Sequence, residues 1–274
     1  MTAEHIIGIY VVIDDTMRAL GHVSHPLTGV SDAEVLTVAV AAAAFFGNHH
    51  ARALAMLRAT GYLSRALSPA RFSRRLHAVA DWLPLLLDVR GELFACGQAA
   101  ICDFVIDSMP IPVCKRVHAR RCRTVRGREY CGYCPAKDET FFGWRLHLVC
   151  TTDGLPVAFT LLPGGLHDLT PVHELTVNLP EGAWVYGDKG YNSAPDEAVI
   201  HATGGGVLVP LHKNNMTPNT RAEQCGLRTF RSTIETVNSQ LTAMGIARLH
   251  VRSVAGLEIK VHASLLALAC LNVD

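Results

Sequence analysis

"VYGDKGYNSA", residues Val185 to Ala194, sets an aspartate between two glycines at the end of an apolar, strand-forming run. A carboxylate there is costly to bury alone, so Asp188 either pairs with a neighbour or binds something. Asp and Gly are also turn residues, so a plain turn is the competing reading. Working outward, "AWVYGDKGY" reads as a strand, "APDEAVIHATG" as a helix and "GVLVPLH" as a further strand. Upstream, "ICDFVIDSMP" is a strand ending in Asp107, "WRLHLVCTTDG" and "LPVAFTLLPGG" pair as a hairpin around Asp153 and Gly154, and "LTPVHELTVNL" is a helix. Three strands, a helix, then strands alternating with helices imply an α/β fold whose mixed sheet carries helices on its faces.

The chain of 274 residues is long enough for one large domain or two small ones. Hydrophobic residues make up 49% and charged residues 18%, which excludes disorder. No apolar run has the flanks of a signal peptide or a spanning helix, and Val35 to Phe46, apolar but short, reads as a buried helix. Nine cysteines, an odd number without an export signal, point to reduced thiols in a cytoplasm.

A net charge of +1 does not by itself mark a nucleic-acid binder, but the positive charge is unevenly spread. Lys115, Arg116, Arg120, Arg121, Arg123, Arg126 and Arg128 share one stretch, and Arg65, Arg71, Arg74 and Arg75 form a second group. The N-terminal part, from about Ser31 to Leu87, has helical periodicity with Ser31 and Ser68 as capping residues. In "SPARFSRRLH", Ser68 as cap and Pro69 at the first helical position open a helix that carries Arg71, Arg74 and Arg75, with Phe72 and Leu76 as its anchors. Such a helix suits a phosphate backbone or a groove; a solvated basic face is the alternative.

Asp107 and Asp188 sit at corresponding places, each closing an apolar strand before a turn. In open sheets with helical crossovers that edge binds ligands. Two acids side by side repel unless a cation lies between them, and a hard divalent ion takes carboxylate oxygen together with substrate phosphate. Asp103 competes with Asp107, which is preferred because it lies at the strand end. For a third acid, "RTFRSTIETVNSQLTAMG" placed on a helix gives an apolar stripe of Ile234, Val237, Leu241 and Met244 beside a polar stripe of Arg231, Glu235, Asn238 and Thr242. Glu235 is thereby expected at the border of the buried face, pointing into a cleft; Glu223 and Glu258 are its competitors.

"FVIDSMPIPVCK", "WRLHLV", "LLPGGLHD", "VYGDKGY" and "STIETVNSQL" resemble, in content and order, DDE-type insertion-sequence transposases, and are similar to the insertion-sequence group numbered nine-eight-two. The resemblance covers Ile101 to Leu271 and extends loosely into "SDAEVLTVA" and "RFSRRLH". It implies a ribonuclease-H-like mixed sheet flanked by helices over residues 96–274, preceded by an all-helical N-terminal DNA-binding domain over residues 1–95, with a basic, cysteine-containing insertion at about 112–140. It also implies a metal-bound triad that maps onto Asp107, Asp188 and Glu235, served by two Mg²⁺ or Mn²⁺ ions. Arg231 matches the arginine four residues before the glutamate, whereas Arg228 stands where the family has a tyrosine and Thr242 where it has a lysine.

The implied activity is hydrolysis at the ends of an insertion sequence, followed by attack of the freed 3′-hydroxyl on target DNA. In that scheme Asp107 bridges the two ions, and Lys189, Arg231 and the basic run from Lys115 to Arg128 contact phosphates. The implied partner is double-stranded DNA, as terminal repeats and as target, bound by a homodimer in a bacterial-type cytoplasm at the nucleoid, with no membrane. A nuclease on the same fold without strand transfer, and a catalytically silent DNA-binding protein, are the alternatives. "CGYC", Cys131 to Cys134, has zinc spacing, with Cys114, Cys122 or His118 as further ligands, but no second such pair exists and reduced thiols are the expectation. His147 and His167 are read as hydrogen-bonded structural histidines.

Overall fold

The computed structural model describes residues 1–97, 103–135, 138–204, 206–213 and 216–271. Cys102, the start of the strand read from Ile101, and residues 136 and 137 of the insertion lie outside them, as does the side chain of Cys96. In chain order the elements are α1 (Ala3–Ala19), α2 (Asp32–Phe46), α3 (His50–Ala59), α4 (Pro69–Ala78), α5 (Trp82–Gly97), β1 (Asp103–Lys115), β2 (Cys131–Cys134), β3 (Glu139–Thr151), β4 (Pro156–Pro163), α6 (Val172–Thr176), β5 (Trp184–Gly187), α7 (Ala194–Gly204), β6 (Val207–Pro210), α8 (Arg221–Ala243) and α9 (Val254–Leu271). They form two compact units, Met1–Glu92 with Gln240–Asp274, and Leu93–Ser239.

The first unit is helical, and its local signals behave as the residues imply. Ser31 caps α2 by accepting from the Glu34 N–H, while the Glu34 carboxylate accepts from the Ser31 N–H. The helix it starts is apolar on all sides and is buried from Val35 to Ala43. Ser68 caps α4, Pro69 takes its first position, and Phe72 and Leu76 are buried beneath it. A cut near residue 95 separates what the structure keeps together, because α9 belongs with the N-terminal helices. The cause is its surface: Leu257, Ile259, Val261, Ala263 and all of Leu265 to Ala269 are apolar and buried, so it is stable only when enclosed, and it packs on α1, α2 and α4. Among the described residues α9 is also the one helix long and apolar enough to cross a membrane, with 56% of that window buried inside the protein.

Arg75 is not free for a phosphate. Its guanidinium donates to the Asp32 carboxylate and to the Val30 carbonyl, leaving Arg71 and Arg74 exposed on α4. Burial works against the charged form of Asp32, but hydrogen bonds from Arg75 and His22 outweigh it and hold the carboxyl below its ordinary value. A depressed carboxyl contributes stability above its unfolded pKa and loses it as pH falls through the folded one. Asp32→Ala is therefore predicted to cost about 1–3 kcal/mol at pH 7 and less at pH 3, as read by urea denaturation at both values.

The second unit is built on a six-stranded mixed sheet in which β3 lies between β1 on one edge and β2 and β4 on the other, and β5 and β6 follow β1. β1 is antiparallel to β3 and parallel to β5, and β5 is parallel to β6. β3 is antiparallel to β4 as well, turning at Gly154, whose φ of 85° lies in the left-handed region. With helices flanking the sheet and a helical N-terminal region, the architecture is the α/β class expected, in keeping with a ribonuclease-H-like transposase. β2 was not legible as a strand, and α6 is shorter than the helix read there.

Phe104, Ile106, Val149, Val185 and Leu208 form the sheet side of a core that α6 and α7 close with Val172, Leu175 and Ile200. Since successive residues of a strand face opposite ways, Asp103, Val105 and Asp107 look to the other side of the sheet.

Candidate functional site

β1 and β5 pair in parallel register from Asp103 opposite Trp184 to Val105 opposite Tyr186. Asp107 and Asp188 each lie two residues further on, level with one another just past the parallel pairing. Asp188 follows the end of β5, whereas β1 runs on to Lys115 because it keeps its antiparallel pairing with β3, so Asp107 lies within its strand and not at its end as expected from the sequence. Asp103, the competing acid at the strand entry, is instead engaged by the Tyr186 hydroxyl. Asp107 accepts from the Ser108 N–H at 2.8 Å and from Asn238 Nδ2 of α8 at 2.8 Å. Burial pushes its carboxyl up to about 6, and the charges of Asp188 and Asp168 add to the rise. Asp188 has an exposed surface, yet its carboxyl is withdrawn from water enough to be raised, with Asp168 adding to the effect and Arg231 and Arg145 opposing it. Its Oδ1 accepts from the Gly190 N–H at 2.7 Å.

Glu235 does not point into this cleft. Its side chain is 63% exposed and is engaged by Arg231 Nε at 2.8 Å, one turn back along α8. The helix residue that meets Asp107 is Asn238. At 100° per residue, Glu235 lies roughly 140° from the centre of the buried stripe and Asn238 only about 80° away. Ile234, Val237, Leu241 and Met244 are indeed buried, so the stripe was read correctly and the placement of its border was not.

Asp168 was missed as a site residue. It follows the Gly164–Gly165 turn after β4, and β4, antiparallel to β3, runs in the same direction as β1. The strand-end rule that selected Asp107 and Asp188 therefore also reaches this acid. The turn is close-packed: a Cβ on Gly165 would lie 2.7 Å from the Glu129 carbonyl oxygen and 2.8 Å from that of Cys131, so only glycine passes there. Asp168 Oδ1 accepts from Ser108 Oγ at 2.7 Å and faces Arg145 Nη1 at 3.5 Å. A Cβ on Gly190 would lie 2.9 Å from Asp188 Oδ1 and 3.2 Å from Asp168 Oδ2, so the two carboxylates flank this glycine. Among the described residues, no three His, Cys, Asp or Glu side chains stand close enough to hold a metal ion as they are. Asp188 and Asp168 nevertheless add to the cost of charging Asp107, and Asp168 to that of Asp188, which is the electrostatic condition a cation relieves.

His147, on β3 opposite Ser108, is fully buried with neither ring nitrogen hydrogen-bonded, contrary to the expectation of a satisfied histidine. Burial lowers it to about 4, so it is neutral at physiological pH. His167 is exposed and its Nδ1 accepts from the Leu169 N–H. Lys115, Arg116, Arg120, Arg121, Arg123 and Lys189 are all exposed, the first five on and beside a 3₁₀ turn over Arg116–Arg121. Cys114 and Cys122 form a thiol pair, and Cys131 and Cys134 are free cysteines on β2.

Level carboxylates on adjacent parallel strands, just past the point where their pairing stops, define a class of site suited to a divalent cation and a phosphate. The family described as transposase DDE domain matches residues 98–270, more than half of the chain. The protein belongs to that family of DDE transposases, enzymes of the polynucleotidyl-transferase type that act on DNA with divalent metal ions. No curated protein and no solved structure gives a match.

Proposed function

We propose that this transposase hydrolyses phosphodiesters at the ends of an insertion sequence of the nine-eight-two type and transfers the freed 3′-hydroxyl to target DNA, with Asp107, Asp188 and Glu235 as its metal-binding acids. The observation that carries the reading is the level placement of Asp107 and Asp188, both with raised carboxyls. Two bound ions, Mg²⁺ or Mn²⁺, supply a water or hydroxyl of lowered pKa and a counter-charge for the leaving oxygen. Asp107 and Asp188 would present carboxylate oxygen from adjacent strands. Glu235, one turn before Asn238 on α8 and held here by Arg231, would be the third acid once that contact is given up. Lys189 and Arg231 flank the acids and hold phosphate by charge, and the exposed arginines of the Arg116–Arg123 segment do the same along the backbone of a longer duplex. The enzyme works as a homodimer on paired ends, on the nucleoid of a bacterial-type cytoplasm.

Incubating a donor plasmid that carries the DNA flanking this gene with Mg²⁺ tests this. Joined product is expected. Metal-dependent cutting without joining would make the protein a nuclease, and binding without cutting a silent DNA binder. Changing Arg120, Arg121 and Arg123 together to alanine is predicted to weaken binding to all duplex sequences alike and to reduce the slope of log affinity against log salt by about 2–3.

A further inference from the structure

Ser108 and Asp107 are neighbours on β1 and leave the sheet on opposite faces. Asp107 meets Asn238 of α8, and Ser108 meets Asp168 on the α6 side. Arg145 joins the second group, donating from Nη1 to Ser108 Oγ at 3.1 Å and from Nη2 to the Tyr133 carbonyl of β2 at 2.8 Å. Arg145 and Asp168 are only 12% and 26% exposed at their side chains, so this is an enclosed network and not a surface ion pair. Beside it lie two buried groups with no hydrogen-bond partner, the ring of His147 and the hydroxyl of Tyr191. The Tyr191 hydroxyl feels the charges of Asp107, Asp168 and Asp188 together, and the His147 ring those of Asp168 and Arg145.

Arg145 thus pairs with Asp168, Arg145 and Arg231 offset the charge of Asp188 only in part, and Asp107 is hydrogen-bonded by the neutral Ser108 N–H and Asn238 amide. Asp168 Oδ2 and Asp188 Oδ1 both crowd Gly190, which places Asp168 beside a proposed metal ligand while its other oxygen is fixed by Ser108. We propose that Asp168 is a positioning residue of this site: it orients Ser108 and Arg145 behind Asp107 and adds the third negative charge that sets the affinity of the Asp107–Asp188 pair for a divalent cation. Carboxylates that back a metal site in this way typically account for ten- to hundredfold in metal affinity. The inference rests on the reading that Asp107 and Asp188 bind metal.

Mn²⁺ binding to the full-length protein without DNA, followed by the electron paramagnetic resonance of free Mn²⁺, separates the two. The comparison is wild type, Asp107→Asn, Asp168→Asn and Asp168→Glu, each checked for its melting midpoint. Asp168→Asn is expected to bind Mn²⁺ at least about tenfold more weakly when measured well below its own melting midpoint, where it is folded, with Asp168→Glu recovering part of the affinity. Wild-type affinity in Asp168→Asn, beside lost affinity in Asp107→Asn, overturns the role of Asp168 and leaves the metal reading standing. No binding by wild type overturns both. If Asp168→Asn does not fold, Ser108→Ala takes its place: several-fold weaker binding supports the proposal, and unchanged binding overturns it.

Discussion

Asp107→Asn and Asp188→Asn are each predicted to lower DNA cleavage and joining by about 10³-fold or more, the scale on which groups acting as a unit fail when one is removed. The same change at Asp107 makes the metal-free protein more stable. Its carboxyl is raised to about 6, above the ordinary 3.8, first by burial and then by Asp188 and Asp168, so the folded state holds this proton more tightly than the unfolded chain. The stability it contributes is complete below the unfolded pKa and is lost as pH rises through about 6. At pH 7.5 the ionised group costs on the order of 3 kcal/mol relative to the protonated one. Asparagine carries no charge and keeps an oxygen for the Ser108 N–H, so a higher melting midpoint at pH 7.5, and no gain at pH 4, accompanies the loss of activity. A lower midpoint at pH 7.5 would show that the carboxylate is structural. On the proposed metal reading, a divalent cation is expected to produce the same rise in wild type by neutralising the same charge.

Glu235→Gln is predicted to lower activity on a comparable scale and to leave stability unchanged to within about 0.5 kcal/mol, because an exposed arginine–glutamate pair contributes little to folding. That contrast is the measurement to make on α8. Asn238→Ala takes a donor from Asp107 at 2.8 Å and is expected to lower cleavage more modestly. If Glu235→Gln still joins DNA while Asn238→Ala does not, the helix supplies Asn238 and not Glu235, and the third acid must be sought elsewhere.

The strands and most helices were legible because local chemistry dictates them. Apolar alternation ended by Asp-Gly placed β3 and β4 about Gly154, and Ser31 and Ser68 marked helix starts that the structure shows capped. A rule about strand ends selected both aspartates; it describes Asp188, which follows β5, but not Asp107, because β1 continues to Lys115 on its pairing with β3. β2 was not legible, since four residues of "CGYC" carry no periodicity and become a strand only by pairing with β3.

The sequence by itself determined the two level aspartates, the buried stripe of α8 and the basic segment from Lys115 to Arg123. Tertiary structure alone decided the rest. It turned α8 so that Asn238 meets Asp107 while Glu235 stands in solvent, bound Arg75 to Asp32, enclosed α9 among the N-terminal helices, and brought Asp168 through the Gly164–Gly165 turn to Ser108 and Arg145. The reason is physical: periodicity says which side of an element is buried, but which border residue touches a partner depends on a rotation of a few tens of degrees set by distant packing. Charge partners more than forty residues apart, such as Arg75 with Asp32 and Ser108 with Asp168, are chosen only when the chain closes those loops.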